Sequence, residues 1–135
     1  MNRFQARENA FLLLFEHAAR GGDNAEELFD TAVNERGLEA DEYVTGVYRG
    51  VTEHLAEIDA VIDPALVGWN RNRISFASTA LLRLAAYEMM FRKDIPAKVS
   101  INEAIELSKK YDDEKTYLFV NGVLNRIAET LGRKK

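Results

Sequence analysis

The sequence predicts an all-α protein of about seven helices, and three observations lead there. Apolar residues recur at spacings of three and four, as at Val44, Val47, Val51, Leu55 and Ile58. Helix-opening residues and glycine or proline stops follow one another at helical intervals. No alternating apolar and polar run of the kind a half-buried strand needs occurs in the chain.

Taken in order, Asn2 can cap a first helix that runs to about Arg20 and stops at Gly21-Gly22. Asp23, with Glu26 three residues on, has the spacing of a capping box and opens a second helix ending at Gly37. Asp41 can cap a third, carried by Tyr43, Val44, Val47, Val51, Leu55 and Ile58 and closed by Pro64. Residues 65 to 74 make a short helix or connection around Trp69. Ser75 or Ser78 then opens a helix through Leu81, Leu82, Leu84, Ala85, Ala86, Met89 and Met90. It is apolar around most of its circumference, which predicts the central buried helix. After the interruption at Asp94-Ile95-Pro96, Ser100 and Glu103 have capping-box spacing and lead a helix to about Tyr111. The acidic run Asp112-Asp113-Glu114 suits the positive end of a last helix reaching about Leu131.

A length of 135 residues fits one domain, residues 1–135, and 47% hydrophobic with 30% charged residues is ordinary globular composition. The absence of cysteine excludes disulfides, thiolate metal sites and cysteine nucleophiles. Phe11 to Phe15 is too short, and too closely flanked by Arg7, Glu8 and Glu16, for a signal peptide. No stretch approaches the roughly 20 apolar residues of a membrane span, so a soluble cytoplasmic protein is expected. The net charge of −4 conceals a division. Met1 to Gly68 holds 5 Lys and Arg against 14 Asp and Glu, a net −9, while Trp69 to Lys135 holds 13 against 8, a net +5. Either two solvated surfaces differ by chance, or the basic half attracts an anionic partner.

Catalytic chemistry is hard to find. His17 and His54 have no second histidine or carboxylate at a metal spacing, so structural histidines and no metal are expected. Gly21-Gly22 and Gly122 match no phosphate-cradling loop. Glu103 and Glu106 are accounted for by capping and exposure, and no nucleophile has a base beside it. A non-enzyme without cofactors is the reading.

What remains concerns binding. Arg3 and Arg7, four apart, share a face of the first helix, where they repel each other and oppose the helix dipole. Two explanations stand: a phosphate-contacting arm, or an acid on a neighbouring helix that pairs with Arg7. In the basic half, Lys109, Lys110 and Lys115 are interleaved with Tyr111, Tyr117 and Phe119. Cations among aromatics suit single-stranded RNA, while aromatics at helical spacing also suit a core or a protein-binding surface.

Four blocks resemble the NusB family in order and spacing: Leu82 to Glu88, Asp94-Ile95-Pro96, Val99 to Leu107, and Phe119 to Leu124. The first half is similar more loosely, through its arginine-bearing first helix and the proline and Trp69 after the third. The resemblance implies two three-helix bundles packed together. It also implies an antitermination factor that binds boxA-type leader RNA with NusE, a small-subunit ribosomal protein. The pair would serve the RNA polymerase antitermination complex on ribosomal RNA operons. Carried over by position, the family's arginine arm falls on Arg3 and Arg7 and its RNA-facing aromatic on Phe119, with Lys115 and Tyr117 added by proximity. The NusE-facing surface falls on the helices of residues 75 to 91 and 100 to 111. Ser78 stands where many relatives carry an acid, and Gly122 is expected at a close helix approach. The resemblance also allows a homodimer that buries the RNA face.

Overall fold

The computed structural model describes residues 1–133. Seven α-helices are present: α1 Arg3–Ala19, α2 Ala25–Asp30, α3 Glu42–Glu53, α4 Leu55–Ala65, α5 Phe76–Phe91, α6 Ala97–Tyr111 and α7 Thr116–Thr130. A π-helical turn, Thr31–Glu35, extends α2, and a 3-10 turn, Arg71–Arg73, precedes α5. No strand occurs among the described residues.

Most helix starts follow from local chemistry. Asn2 and Gln5 form a reciprocal capping box on α1. The Asp41 side chain accepts the Val44 N–H at 2.9 Å, and Ser75, of the two candidate serines, accepts that of Ser78 at 2.9 Å. Two expected caps are replaced. Asn24, in the left-handed region at φ 56°, precedes α2 in place of Asp23 and makes no side-chain cap. Gly21 and Gly22, at φ 74° and 85°, reverse the chain after α1, and Asn24, a residue type that tolerates positive φ, completes the turn into α2. At α6, Pro96 rather than Ser100 is the cap, because its fixed φ of −59° already leads into a helix. Ser100 and Glu103 therefore lie inside α6, and both reach other helices.

The third predicted helix is two. The chain turns at His54 (φ −112°, ψ 26°) with its backbone bonds retained, His54 N–H to Gly50 O and Ile58 N–H to His54 O. Pro64 is tolerated inside the last turn of α4.

α1, α2 and α3 form one group, α5, α6 and α7 the other, and α4 lies across α5 and α7. α5 is the axle, packed on α1, α3, α4, α6 and α7. Its buried residues occupy nearly every face, as its all-round apolar pattern predicts. Apolar side chains from all seven helices merge into one contiguous core. The close helix approach is at Gly50, where an added Cβ would lie 2.3 Å from the Tyr87 ring of α5. Gly122 has room, with only the flexible end of Arg126 within 3.6 Å.

Candidate nucleic-acid interface

The first helix places its two arginines in different worlds. Arg7 is 2% exposed, which corrects the expectation that it faces RNA. Its Nε donates to Glu88 Oε2 at 3.0 Å, and Nη1 donates to Glu103 Oε1 at 3.3 Å. Glu88, itself fully buried, also accepts the Tyr43 hydroxyl and, at 2.7 Å, that of Ser100. One carboxylate thus joins α1, α3, α5 and α6. Burial by itself pulls the Arg7 pKa down, and the charge of Glu88 with the Tyr43 contact more than offsets it, so the group stays protonated. The alternative explanation of the Arg3/Arg7 pair, an acid on a neighbouring helix, holds for Arg7. Arg3 is exposed, its guanidinium 4.4 Å over the Tyr43 ring and in no ion pair among the described residues.

The interleaved lysines and aromatics meet at the α6–α7 corner, and they divide likewise. Glu8 of α1 accepts Lys110 and the Tyr111 hydroxyl, each at 2.6 Å, and these two bonds hold its carboxyl below the usual range. Lys109 stands 4.8 Å from the Tyr117 ring centroid and 3.7 Å from Glu106. Lys115 is exposed just before α7, with no ion pair among the described residues. Phe119 is half-buried and meets the Trp69 ring edge-on, centroids 5.7 Å apart. Trp69 and Leu118 are more than half exposed, an unusual amount of apolar surface at one corner.

Between the α4–α5 connection and the start of α7 this corner opens into a cleft of about 290 Å³, walled by Trp69, Ile74, Phe119, Arg73, Asp112 and Asp113. Arg73 is exposed and makes no ion pair among the described residues, whereas neighbouring Arg71 is held by Asp59 and Asp63. The corner therefore presents Arg73 and Lys115 beside Trp69, Tyr117, Leu118 and Phe119. Cations that lack internal partners, next to open ring faces, are what a single-stranded nucleic acid engages.

Neither histidine belongs to a reactive group. His17 is buried, and burial followed by the charge of Arg83 lowers its pKa, which keeps the ring neutral. His54 is 3.2 Å from Glu57 and stacks on Phe91. Among the described residues, no three His, Cys, Asp or Glu side chains are grouped to hold a metal ion. No helix among them is long and apolar enough to cross a membrane.

The family model described as "NusB family" matches residues 4–129. The chain belongs to the NusB family. The transcription antitermination protein NusB of Agathobacter rectalis is 41% identical over 131 residues, covering 95% of this chain and all of that protein. The solved T. maritima NusB superposes with a TM-score of 0.82 at 38% identity, over 96% of this chain and 92% of that one. A crystal structure of the antitermination factors NusB and NusE in complex with dsRNA matches at TM-score 0.82 and 32% identity, over 96% and 99% of the two chains. NusB-family membership accords with the four sequence blocks, and the all-α architecture is shared with these NusB structures.

Two groups escaped the sequence reading. Glu88, the hub of the core network, carried a signal: a lone acid in an apolar helix demands buried donors. Arg83, in the same helix, is likewise 3.0 Å from Asp59 through two nitrogens. Trp69 and Arg73 gave no comparable signal, because their exposure and their nearness to Phe119 arise from tertiary packing.

Proposed function

We propose that this protein is a transcription antitermination factor that binds boxA-type leader RNA together with NusE. The pair would act within the RNA polymerase antitermination complex on ribosomal RNA operons. The observation that carries this reading is the likeness, over nearly the whole chain, to the NusB of a NusB–NusE–dsRNA complex. We further propose that residues 1–135 act as one RNA-binding unit, cytoplasmic and non-catalytic. RNA contacts are assigned to Arg3, Lys115, Tyr117 and Phe119; Arg7 is left to the core. The α6–α7 corner supports the assignment, since it pairs exposed cations with accessible rings.

The test is a gel-shift titration of boxA RNA against a scrambled control, with and without NusE. Sequence-dependent binding that NusE strengthens is expected. A second reading, a protein-interaction module whose RNA contacts lie on its partner, is favoured by the burial of Arg7, which leaves α1 a single exposed arginine in its first turns. Binding to NusE with no contribution to RNA affinity would select it.

A further inference from the structure

The aromatic cleft at the α4–α5 connection is built more carefully than an RNA-facing surface requires. Ser75 and Ser78 both donate to Asp112 Oδ2, at 2.6 and 3.0 Å, and Asp112 Oδ1 accepts the Asp113 N–H at 2.9 Å. Asp112 is thereby a clamp that locks the α6–α7 loop onto the start of α5. Asp113 differs. Its Oδ1 accepts the Lys115 N–H at 3.1 Å, but its Oδ2 has no hydrogen-bond partner among the described residues, and it lines the cleft. Beside this free acceptor stand Trp69, 57% exposed, and Phe119, inclined at 62° to it. Two rings set at an angle leave a face open to a third planar group.

We infer that this cleft holds one unstacked guanine of single-stranded RNA, stacked on the more exposed Trp69 ring, edge-on to Phe119 and read by the Asp113 carboxylate. The inference rests on the RNA-binding reading above. A volume of about 290 Å³ is at the small end for ligand pockets and suits a single base. A carboxylate only accepts, so it favours the base edge with adjacent donors. Guanine offers N1–H and the N2 amino group side by side. Adenine and cytosine set a ring-nitrogen acceptor beside their amino group, and uracil flanks its one N–H with two carbonyls. Arg73, at the same cleft without an ion pair, is placed for the adjoining phosphate. A cationic side chain of a partner protein fits less well, because Arg73 stands in the same cleft and would repel it, and three of the roughly four acceptor positions of Asp112 are already used.

Trp69 is the only tryptophan, so its fluorescence reports occupancy of the cleft directly. The probes are the pentaribonucleotides UUGUU, UUAUU, UUUUU and UUIUU, with inosine at the centre of the last, and GMP. UUGUU should quench Trp69 and bind roughly tenfold tighter than UUAUU or UUUUU, the size of one good paired contact. Inosine, which lacks the N2 amino group, should fall between. Asp113→Asn should abolish the preference for guanine without weakening UUUUU, and Arg73→Ala should weaken all four oligonucleotides alike. Equal quenching by all four, or a guanine preference that survives Asp113→Asn, overturns the inference and leaves RNA binding standing. GMP binding as tightly as UUGUU overturns the assignment to RNA. Trp69→Ala that loses NusE while keeping RNA overturns it in favour of protein docking. Failure of every RNA, boxA included and NusE present, overturns the RNA-binding reading itself.

Discussion

Replacing Arg7 by methionine separates a core arginine from an RNA contact. Methionine keeps the hydrocarbon length of the side chain, so packing is largely retained and the charge is what disappears. Glu88, fully buried, would keep the hydroxyls of Tyr43 and Ser100 but lose the cation paired with it. Removing one partner of a buried ion pair costs about 3–5 kcal/mol, because the remaining charge is uncompensated. Glu103 loses a partner too, but its side chain is partly exposed and water can replace the bond. Against a total stability of about 5–15 kcal/mol, that is a large share. For a chain of this size it corresponds to a fall in Tm of roughly 10–20 °C. Urea unfolding followed by far-ultraviolet circular dichroism measures it, with an unchanged m-value expected. Adding Glu88→Gln should recover part of the loss, since the amide removes the uncompensated charge while its oxygen still accepts a hydroxyl. If Arg7→Met stays within about 1 kcal/mol of the parent, a typical single-mutation effect, and boxA affinity drops, then the buried-network reasoning is wrong.

Gly50→Ala should destabilise by about 1–3 kcal/mol, because its Cβ would overlap the Tyr87 ring; adding Tyr87→Ala should remove the clash, and urea midpoints of both variants test this. Phe119→Ala should weaken boxA binding by roughly 1–3 kcal/mol, and Arg3→Ala should make its salt dependence shallower by about one phosphate contact; titrations at several salt concentrations measure both. His17 is held neutral by burial, so its folded pKa lies below the unfolded value of 6.5. The unfolded chain then binds the extra proton, and stability should fall as pH drops below about 6.5, a component that His17→Leu should remove from urea midpoints at pH 7.5 and 5.5. Tyr48 runs the other way: burial pushes its pKa from 10 up to about 12. Its contribution is intact below pH 10 and is lost as pH rises toward 12, so Tyr48→Phe should show a weaker alkaline loss of stability.

The fold was legible because its signals are local. Asn2, Asp41 and Ser75 sit where the chain needs an acceptor for free N–H groups, and the apolar run of α5 could only be buried. The capping readings failed at Asp23 and Ser100 because spacing alone cannot tell which residue has the backbone angles of a cap. Pro96 has them at α6, whereas at α2 the turn leaves the left-handed Asn24 in that place. His54 hid the division of α3 from α4, since apolar periodicity runs unbroken through the bend.

The candidate site was legible only in part. Phe119, Tyr117 and Lys115 lie within five residues, so a cation among aromatics could be seen in the sequence. Whether each ring or charge is open to a ligand could not. Lys110 is taken by Glu8, 102 residues away in the chain, and Arg7 by Glu88, 81 away. By itself, then, the sequence determined the helical class and most of the helices, the central place of α5, the family and the basic half. Tertiary structure decided that Arg7 belongs to the core, that Arg3 stays outside, and that Trp69 and Arg73 join Phe119 around one cleft. The physical reason is that helix caps and periodicity act within a few residues, whereas desolvation and ion pairing depend on which distant groups the packing brings together.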